Sequence, residues 1–329
     1  MKMYYVVNAR LPNKKAYGIQ IAKMCEAFIE AGIDLTLVIP STRAARSSGL
    51  KEFYGLRVDI PTVILPGFDW YAAGPVPFAF STVSFACMSS AYLLRKRLLG
   101  EKAAVYTIDM DAQSFAALPF AGFPVISEMH AGKRAGIFLR YFFRRAAAVI
   151  PTNQETKKEL QEQFDVGDER FLVEPNGVDP AMFSNVPSRS EAREKLGLPQ
   201  DARIALYTGR FFGWKGLDIL STAAGTATEI EWYVVGGSPE EFRAASGTNV
   251  LPAHLHVSGE CAFQDVPVWL AAADALLILG TQQNEESFRY TSPMKIFEYM
   301  AAGRIVVAAK TPALVSIIPA DAAQFYYAR

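Results

Sequence analysis

Two cations in a segment that begins and ends with glycine have side chains that could bind a reactive ligand. The segment GRFFGWKG at residues 209–216 directly follows an apolar run, and it contains Arg210 and Lys215. Gly209 would let the backbone turn close to a ligand. Arginine binds phosphate through paired hydrogen bonds and lysine binds it as a point charge. The pattern indicates a diphosphate site, with a solvated loop and a tight turn as the alternative.

A second segment, TQQNEESFRYTSPMKIFEYMAAG at residues 281–303, also follows an apolar run. Pro293 favours the start of a helix that Thr291 or Ser292 would cap. Free backbone amides at such a start bind phosphate. Glu298 lies among apolar residues of that helix, where it could accept hydrogen bonds from the hydroxyl pair of a ribose. A surface carboxylate without a ligand is the alternative.

A histidine stands at the end of a third apolar run. Ser127-Glu128-Met129-His130 closes a predicted strand, and ligands of α/β proteins bind outside the carboxyl ends of parallel strands. An imidazole can donate hydrogen bonds or share a proton near neutral pH. We predict that His130 takes part in the chemistry, with a structural histidine as the alternative.

A loop at residues 8–18 follows the first predicted strand and ends at Gly18. Its spacing is not GxGxxG, and no acidic residue ends the second predicted strand. A nicotinamide dinucleotide site would need both features, so the sequence argues against a dehydrogenase. Gly18 could still allow a ligand to approach the start of the next helix.

These candidate residues all depend on apolar runs that alternate with amphipathic segments along the chain. In the first half we predict strands at residues 4–8, 35–40, 62–65, 103–108, 124–128 and 148–151. In the second half we predict strands at residues 204–208, 232–235, 255–258, 275–279 and 305–308. Such alternation is typical of βα units and parallel, buried sheets.

A segment rich in proline, asparagine and glycine at residues 173–187 is typical of a linker. The length of 329 residues also fits two domains at about 150 residues each. We predict an α/β protein with two Rossmann-like, doubly wound domains that face a cleft. The first would cover residues 1–178 and the second residues 179–329.

Composition limits the classes of partner. Lysine plus arginine and aspartate plus glutamate each number 33, so the net charge is zero. This excludes a globally basic nucleic-acid-binding protein, and we expect no nucleic-acid partner. Three cysteines and three histidines are too few for a disulfide framework and leave little material for a zinc site. Reduced cysteines favour a cytoplasmic protein.

Two segments bear on membrane contact. Residues 70–94 are uncharged and would span about 37 Å as a helix, enough for a bilayer. However, Gly74, Pro75 and Pro77 predict a loop followed by a buried helix of an α/β domain. Residues 133–145 mix cations with aromatic residues, so they could contact an anionic membrane or a lipid-linked acceptor. Such a contact would place the protein peripherally on the inner face of the membrane. The alternative is an ordinary helix with one solvated face.

Taken in order, these segments resemble the family 4 glycosyltransferases, which have two Rossmann-like domains in the GT-B arrangement. The segments that carry the resemblance are PNGVD at 175–179 with Phe183, GRFFGWKG at 209–216, VVGG at 234–237, VSGE at 257–260 and SPMKIFEYMAAG at 292–303. The resemblance implies transfer of a sugar, with retention of configuration, from a nucleotide sugar linked to UDP or GDP. It implies no required metal and an unknown glycan or lipid-linked acceptor, as in glycan, polysaccharide or glycolipid biosynthesis.

The resemblance also implies roles for single residues. Arg210 and Lys215 would hold the donor diphosphate, with Gly18 near its phosphates. Glu298 would bind the ribose, and His130 would lie near the reacting centre. The loop at the donor sugar and phosphate would contain Tyr290, Thr291, Ser292 and Met294. The region of the nucleotide base would contain Gly236, Gly237, Gly259 and Glu260.

The sequence departs from the family at two places. Tyr290 stands where the first glutamate of the family's E-x7-E pair is expected, eight residues before Glu298. Family members also usually continue into helices beyond the position of Arg329, so this chain is short at its C-terminus. A catalytically impaired homologue that binds a nucleotide sugar, or a partner subunit, is therefore the second hypothesis. A nucleotide-sugar epimerase is the third, but it would need further cleft carboxylates that the sequence does not identify.

Overall fold

The structure is a computed structural model that describes residues 1–43, 45, 49–70, 73–111 and 114–327. The chain forms two compact units. One consists of Met1–Thr152 with Thr156–Glu174, and the other of Asn153–Glu155 with Pro175–Arg329. Each unit contains a six-stranded parallel sheet with helices on its faces. The predicted α/β class with two Rossmann-like folds is confirmed.

The first sheet has the strand order β3-β2-β1-β4-β5-β6. Its strands are β1 (Lys2–Val6), β2 (Asp34–Pro40), β3 (Thr62–Leu65), β4 (Ala103–Ile108), β5 (Val125–Met129) and β6 (Ala148–Pro151). The helices of this part of the chain are α1 (Ala16–Glu30), α2 (Leu50–Tyr54), α3 (Pro75–Leu98), α4 (Ile137–Arg145) and α5 (Gln154–Phe164), with 3-10 turns at Leu118–Ala121 and Asp168–Arg170. The order reverses between β1 and β4, and ligands of such sheets bind beyond the carboxyl ends of the strands at that point.

Both faces of the first sheet are covered because its strands are apolar on both sides. Successive side chains of a strand point to opposite faces. Tyr4 therefore packs in a cluster with α3 and α4, whereas Tyr5 packs in a second cluster with α1. Each cluster fixes the helices on its side of the sheet.

The second sheet has the strand order β12-β11-β10-β7-β8-β9 and reverses between β7 and β10. Its strands are β7 (Arg203–Thr208), β8 (Ile230–Val235), β9 (Leu255–Val257), β10 (Ala275–Ile278), β11 (Ile305–Ala309) and β12 (Gln324–Tyr326). The helices are α6 (Arg189–Leu196), α7 (Leu217–Thr226), α8 (Pro239–Ser246), α9 (Val266–Ala272), α10 (Lys295–Ala301) and α11 (Pro312–Val315). The shorter turns are the 3-10 turns Pro180–Phe183, Gly213–Lys215 and Phe263–Asp265 and the π-helical turn Glu286–Tyr290.

Helix α3 is the long uncharged segment of the sequence. The sequence predicts a loop through residue 77, but the helix begins at Pro75, so Pro75 and Pro77 lie in its first turn. It is the one helix of the described residues with the length and apolar composition to cross a membrane. Only 33% of its most apolar stretch is buried. The prediction of a buried helix is therefore wrong for most of α3, because the sheet covers one side of the helix and the other side is exposed.

Candidate functional site

The loop that leaves β7 is built around a lysine that the sequence analysis did not single out. The ammonium of Lys295 donates a hydrogen bond to the carbonyl oxygen of Thr208 and lies 3.7 Å from the centre of the Tyr207 ring. A Cβ atom on Gly209 would come within 2.9 Å of that ammonium. Gly209 also has a φ of +127°, which L side chains rarely adopt. Glycine is thus required at this turn by its conformation and by the position of Lys295.

Lys295, Lys215 and Arg210 form a cation cluster at the carboxyl end of β7. Loss of solvent lowers the pKa of Lys215 to about 8, with a smaller contribution from the charge of Arg210. Loss of solvent also lowers the pKa of Lys295 well below its usual value. The charge of Lys215 adds to that effect, and the charge of Glu298 opposes it. Within the described part of the chain neither lysine makes an ion pair, so the cluster holds positive charge that an anion would stabilise.

The side chain of Lys215 lies beside aromatic rings at the end of the 3-10 turn. Its ammonium is 4.8 Å from the Phe212 ring centre and 5.4 Å from that of Trp214, and it donates to the carbonyl oxygen of Arg210 at 3.3 Å. Arg210 itself is about half exposed and lies 3.9 Å from Glu260, which is also exposed. An exposed pair at this distance contributes little to stability. The guanidinium therefore remains available to a ligand.

Four glycines join the ends of three strands into a glycine ledge, composed of Gly209, Gly236, Gly237 and Gly259. The amide of Gly209 donates to Val235 and that of Gly236 donates to Gly259, both at 2.7 Å. Gly236 has a φ of +141°, and a Cβ there would lie 2.4 Å from the carbonyl oxygen of Gly209. The ledge lies beside the cation cluster, with Gly237 buried and the other three glycines partly exposed. It contains Gly236, Gly237 and Gly259, three of the four residues predicted for the base region.

Glu298 lies on the buried side of α10, only 8% exposed. Burial raises its pKa to about 7, and the charge of Lys295 opposes that rise. The next residue, Tyr299, is fully buried, and its hydroxyl accepts a hydrogen bond from the amide of Thr208 at 2.9 Å. Tyr299 therefore attaches α10 to the end of β7, and this attachment places Glu298 and Lys295 next to the glycine ledge.

The loop before α10 differs from its predicted form. The helix begins at Lys295 with Met294 at its N-cap position, and neither Thr291 nor Ser292 caps it. The Thr291 hydroxyl instead donates to the carbonyl of Glu286 at 2.7 Å, because a π-helical turn precedes the loop. The predicted capping by these hydroxyls is wrong.

Two asparagines that the sequence analysis did not single out hold this loop within the second unit. The amide of Asn153 donates to the carbonyl oxygen of Tyr290 at 2.9 Å, and that of Asn176 donates to the carbonyl oxygen of Ser292 at 2.5 Å. The Tyr290 side chain is 9% exposed, and the Arg289 guanidinium lies 5.5 Å from its ring centre. The position expected for a glutamate thus holds a largely buried ring.

In the first unit a buried carboxylate organises the end of β5. Glu128 accepts hydrogen bonds from Gln20 at 2.6 Å and from the Tyr106 hydroxyl at 2.5 Å, and it lies 2.7 Å from Nε2 of His130. Burial alone would lower the pKa of His130, but the hydrogen bond and charge of Glu128 outweigh it, so the pKa is raised. Burial would raise the pKa of Glu128, but the bonds from its partners lower it. The pair therefore favours an imidazolium at His130 beside a carboxylate at Glu128.

The backbone of His130 is held as well. Its amide donates to Asp109 at 3.1 Å, and Asp109 forms an ion pair with Lys133 at 2.6 Å. Gly18 lies in the first turn of α1, two residues before Gln20. A Cβ at Gly18 would lie 2.6 Å from the Tyr54 hydroxyl and 2.8 Å from Oδ1 of Asn13. Glycine is needed there so that the preceding loop can pack against the helix.

The predicted site residues thus fall into two groups. Arg210, Lys215, Glu298, the base-region residues and the loop 290–294 belong to the second unit, whereas His130 and Gly18 belong to the first. The first unit also contains a cavity of about 260 Å³, lined largely by apolar residues that include Leu11, Ile39 and Leu50 and not by His130. Among the residues that the structure describes, no group of three or more His, Cys, Asp or Glu side chains is placed to hold a metal ion.

Comparison with known proteins identifies relatives of part of the chain. The family described as glycosyl transferases group 1 matches residues 202–327. D-inositol 3-phosphate glycosyltransferase from Xylanimonas cellulosilytica is 29% identical over 192 residues, which cover 53% of this chain and 43% of that protein. The enzyme of the same name from Streptomyces griseus is 34% identical over 158 residues, covering 43% of this chain and 32% of that protein. The chain spans less than half the length of these curated relatives.

Solved structures extend the similarity to the fold of the whole chain. HepE from Anabaena, in complex with UDP, superposes with a TM-score of 0.71 at 18% identity, covering 100% of this chain and 86% of HepE. Sucrose-phosphate synthase from Thermosynechococcus elongatus gives a TM-score of 0.72 at 17% identity, with coverage of 100% and 86%. The chain therefore has the GT-B fold, and the part of its second unit that contains the cation cluster and the glycine ledge matches the glycosyl transferases group 1.

Proposed function

We propose that this protein transfers a sugar from a nucleoside diphosphate sugar to an acceptor, with retention of configuration. The observation that carries the proposal is the cation cluster, in which loss of solvent lowers the pKa of two lysines that have no ion-pair partner in the described part of the chain. A diphosphate placed there would stabilise the charged form of both lysines. The names of the relatives support a glycosyltransferase.

Each part of the second unit has a separate task in this proposal. Arg210 and Lys215 bind the donor diphosphate, and Lys295 holds the turn beneath it. These cations stabilise the charge that develops on the departing diphosphate, so the reaction needs no metal ion. Glu298 accepts hydrogen bonds from the ribose hydroxyls. The backbone of the glycine ledge lies against the base.

Within this proposal His130 interacts with the transferred sugar. The His130 ring donates a hydrogen bond, and its raised pKa favours the protonated form. Glu128 positions the ring by binding Nε2. The acceptor is a glycan or a lipid-linked glycan, and the donor is a hexose linked to UDP or GDP. UDP is favoured because UDP and UDP-glucose are the ligands in solved HepE complexes. Three free cysteines in the described residues favour a cytoplasmic protein.

Thermal denaturation with nucleotides tests the donor assignment. UDP or GDP should raise the melting temperature by an amount that grows with ligand concentration, because a ligand of the native state stabilises it. The Lys215→Ala variant should need at least tenfold more ligand for the same shift. Lys158→Ala, which removes a cation of the first unit, is the matched control. Cooperative melting without any shift at millimolar UDP, GDP or their sugars would contradict the proposal.

Tyr290 favours a second candidate, a homologue that binds the nucleotide sugar without transferring it. Its largely buried ring replaces a carboxylate at the loop before α10. In this case donor binding would persist, but neither transfer nor slow hydrolysis of the donor would occur. Detection of UDP release from UDP-glucose above the rate without protein would exclude this candidate.

A further inference from the structure

Helix α3 presents a continuous apolar stripe to solvent over its whole length. The stripe consists of Val76, Phe80, Val83, Cys87, Ala91, Leu94 and Leu98. These residues are spaced by three or four positions and therefore share one face of the helix. Its five large members are between 45% and 78% exposed. An exposed apolar stripe of this length indicates a surface that another phase or molecule covers.

The packing of α3 on its own sheet does not explain the stripe. The buried side of the helix combines apolar anchors, such as Phe85 and Leu93, with the hydroxyls of Ser81, Thr82 and Ser89. The Ser89 hydroxyl donates back to the carbonyl oxygen of Phe85 at 2.7 Å. The exposed face is thus the more uniformly apolar one, the reverse of a usual surface helix.

Neighbouring elements on the same side of the first sheet carry further exposed apolar side chains. Helices α3 and α4 and the 3-10 turn Leu118–Ala121 pack on the same face of the first sheet. Phe120, which is 61% exposed, stacks on Tyr141 with ring centres 4.5 Å apart. Ile137 and Phe138 at the start of α4 are also strongly exposed. At the other end, the amide of Trp70 donates to the Ser81 hydroxyl at 2.8 Å, so an exposed indole lies beside the first turns of α3.

The segments that form this surface carry only positive charge, and the acidic residues next to them, Asp69 and Glu101, are paired with cations. Residues 70–98, 118–121 and 129–147 contain no aspartate or glutamate. The arginines at the ends of the two helices are Arg95, Arg97, Arg140, Arg144 and Arg145. In the part of the chain that the structure describes, none of these five arginines forms an ion pair. The partner of this surface must therefore combine apolar groups with negative charge.

We propose that the apolar stripe of α3, together with Trp70, Phe120 and the start of α4, docks on an anionic lipid surface. Apolar side chains would enter the boundary between headgroups and acyl chains, the indole would lie at the headgroups, and the arginines would contact lipid phosphates. A second copy of the chain does not meet this requirement, because docking two copies through this surface would bring their positively charged arginines together. The proposal is independent of the nucleotide site, which lies in the second unit.

The docked helix lies along the membrane rather than across it. Phe85 and Leu93 belong to the core cluster of the first sheet together with Tyr4 and Val105. Spanning the bilayer would require α3 to leave that core. The stripe instead runs about 33 Å along the helix, parallel to the surface that it contacts.

Sedimentation of the full chain with lipid vesicles tests this docking. The protein should sediment with vesicles of phosphatidylcholine and phosphatidylglycerol at low salt, and much less with phosphatidylcholine alone. About 0.5 M salt should release most of the protein, because it screens the arginines. Changing Arg140 or Arg144 to glutamine should lower the partition coefficient about fivefold each.

The decisive variant is the double change Phe80→Glu and Val83→Glu, which should lower binding at least tenfold. Val250→Glu, at a valine of the second unit that is 79% exposed, is the matched control and should bind as the unchanged protein does. Circular dichroism melting verifies that all variants are folded. Lipids with brominated acyl chains should quench intrinsic fluorescence, and Trp70→Phe should remove most of that quenching.

Three results would overturn the proposal. The first is absence of sedimentation with anionic vesicles, or sedimentation that the α3 glutamates leave unchanged. The second is a dimer in sedimentation velocity that the same glutamates convert to a monomer, which would assign the stripe to a second copy. The third is vesicle association that resists both high salt and alkaline carbonate, which would assign α3 to a membrane span.

Discussion

The ammonium of Lys295 lies 3.7 Å from the centre of the Tyr207 ring while it donates a hydrogen bond to the carbonyl oxygen of Thr208. This contact joins the first residue of α10 to the end of β7. The sequence places the two elements 87 positions apart. The turn at Gly209 therefore depends on a lysine from the segment that also carries Glu298.

Replacement of Lys295 by methionine should weaken UDP binding about 10- to 100-fold, because the cluster loses a charge-assisted hydrogen bond worth about 1.5–3 kcal/mol. Lys295→Arg should not restore binding, since the planar guanidinium is larger and the space beneath Gly209 is already occupied. Isothermal titration calorimetry measures both affinities. Lys310→Met is the control, because Lys310 lies on the same unit beside the exposed Tyr327. Equal affinities for Lys295→Met and the unchanged protein would exclude a role for this lysine.

Gly209→Ala should destabilise the second unit by about 2–3 kcal/mol, because alanine is strained at this φ and its Cβ would lie 2.9 Å from the Lys295 ammonium. Gly247→Ala is the matched control. Its φ is +70°, and nothing lies within 4 Å of the added Cβ. Denaturant unfolding should give a loss of about 1 kcal/mol for the control. If Gly209→Ala and Gly247→Ala lowered the free energy of unfolding equally, the contact with Lys295 would not contribute to the requirement for glycine at position 209.

The affinity for UDP should have a maximum between about pH 7 and pH 8. Burial raises the pKa of Glu298 to about 7, and the ionised carboxylate is the better acceptor for ribose hydroxyls, so affinity rises through this pH. Loss of solvent lowers the pKa of Lys215 to about 8, and the neutral amine does not attract the diphosphate, so affinity falls above it. Titrations across pH measure both limbs.

Two variants separate these limbs. Glu298→Gln should remove the acid limb, and Lys215→Arg should remove the alkaline limb, because arginine stays charged. Titrations above pH 8 in buffers of different ionisation enthalpy should also show uptake of a proton on binding, which Lys215→Arg abolishes. Affinity that does not change between pH 6 and pH 9 would contradict both assignments.

Periodicity in the sequence predicts most of the fold because each apolar run becomes one buried strand. Strands β3, β4 and β6 begin and end where the runs predict. The other predicted strands differ by one or two residues at one or both ends, and the first strand is displaced by two residues at both ends, since it was predicted at residues 4–8 and observed at Lys2–Val6. Asn8 lies beyond it and donates to Asp111 at 2.9 Å. Side-chain bonds of this kind decide where a strand ends, and the sequence pattern does not contain them.

The candidate site could be predicted only in part. Arg210, Lys215 and Glu298 lie in segments whose composition indicates their chemistry. Lys295 lies three residues before Glu298, and this helical spacing could have suggested a shared face. The role of Tyr299 could not be predicted, because it depends on a contact with Thr208, 91 positions away in sequence.

Glu128→Gln should lower the pKa of His130. The hydrogen bond and charge of Glu128 raise that pKa against the effect of burial, and a neutral amide supplies no charge. The chain has three histidines, so proton NMR can follow each imidazole across pH. Tyr106→Phe is the control, because it removes one hydrogen bond to Glu128 and keeps the carboxylate. This control should change the pKa of His130 much less.

The same pair should contribute to stability over a defined range of pH. The pKa of His130 is higher in the folded chain than in the unfolded chain, so its contribution is complete below the unfolded value of about 6.5 and is lost as pH rises through the folded value. Glu128→Gln should therefore reduce the free energy of unfolding more at pH 6 than at pH 9. Denaturant titrations of both proteins at the two pH values measure this difference. If Glu128→Gln reduced the free energy of unfolding equally at pH 6 and at pH 9, the charge of Glu128 would not stabilise the protonated form of His130.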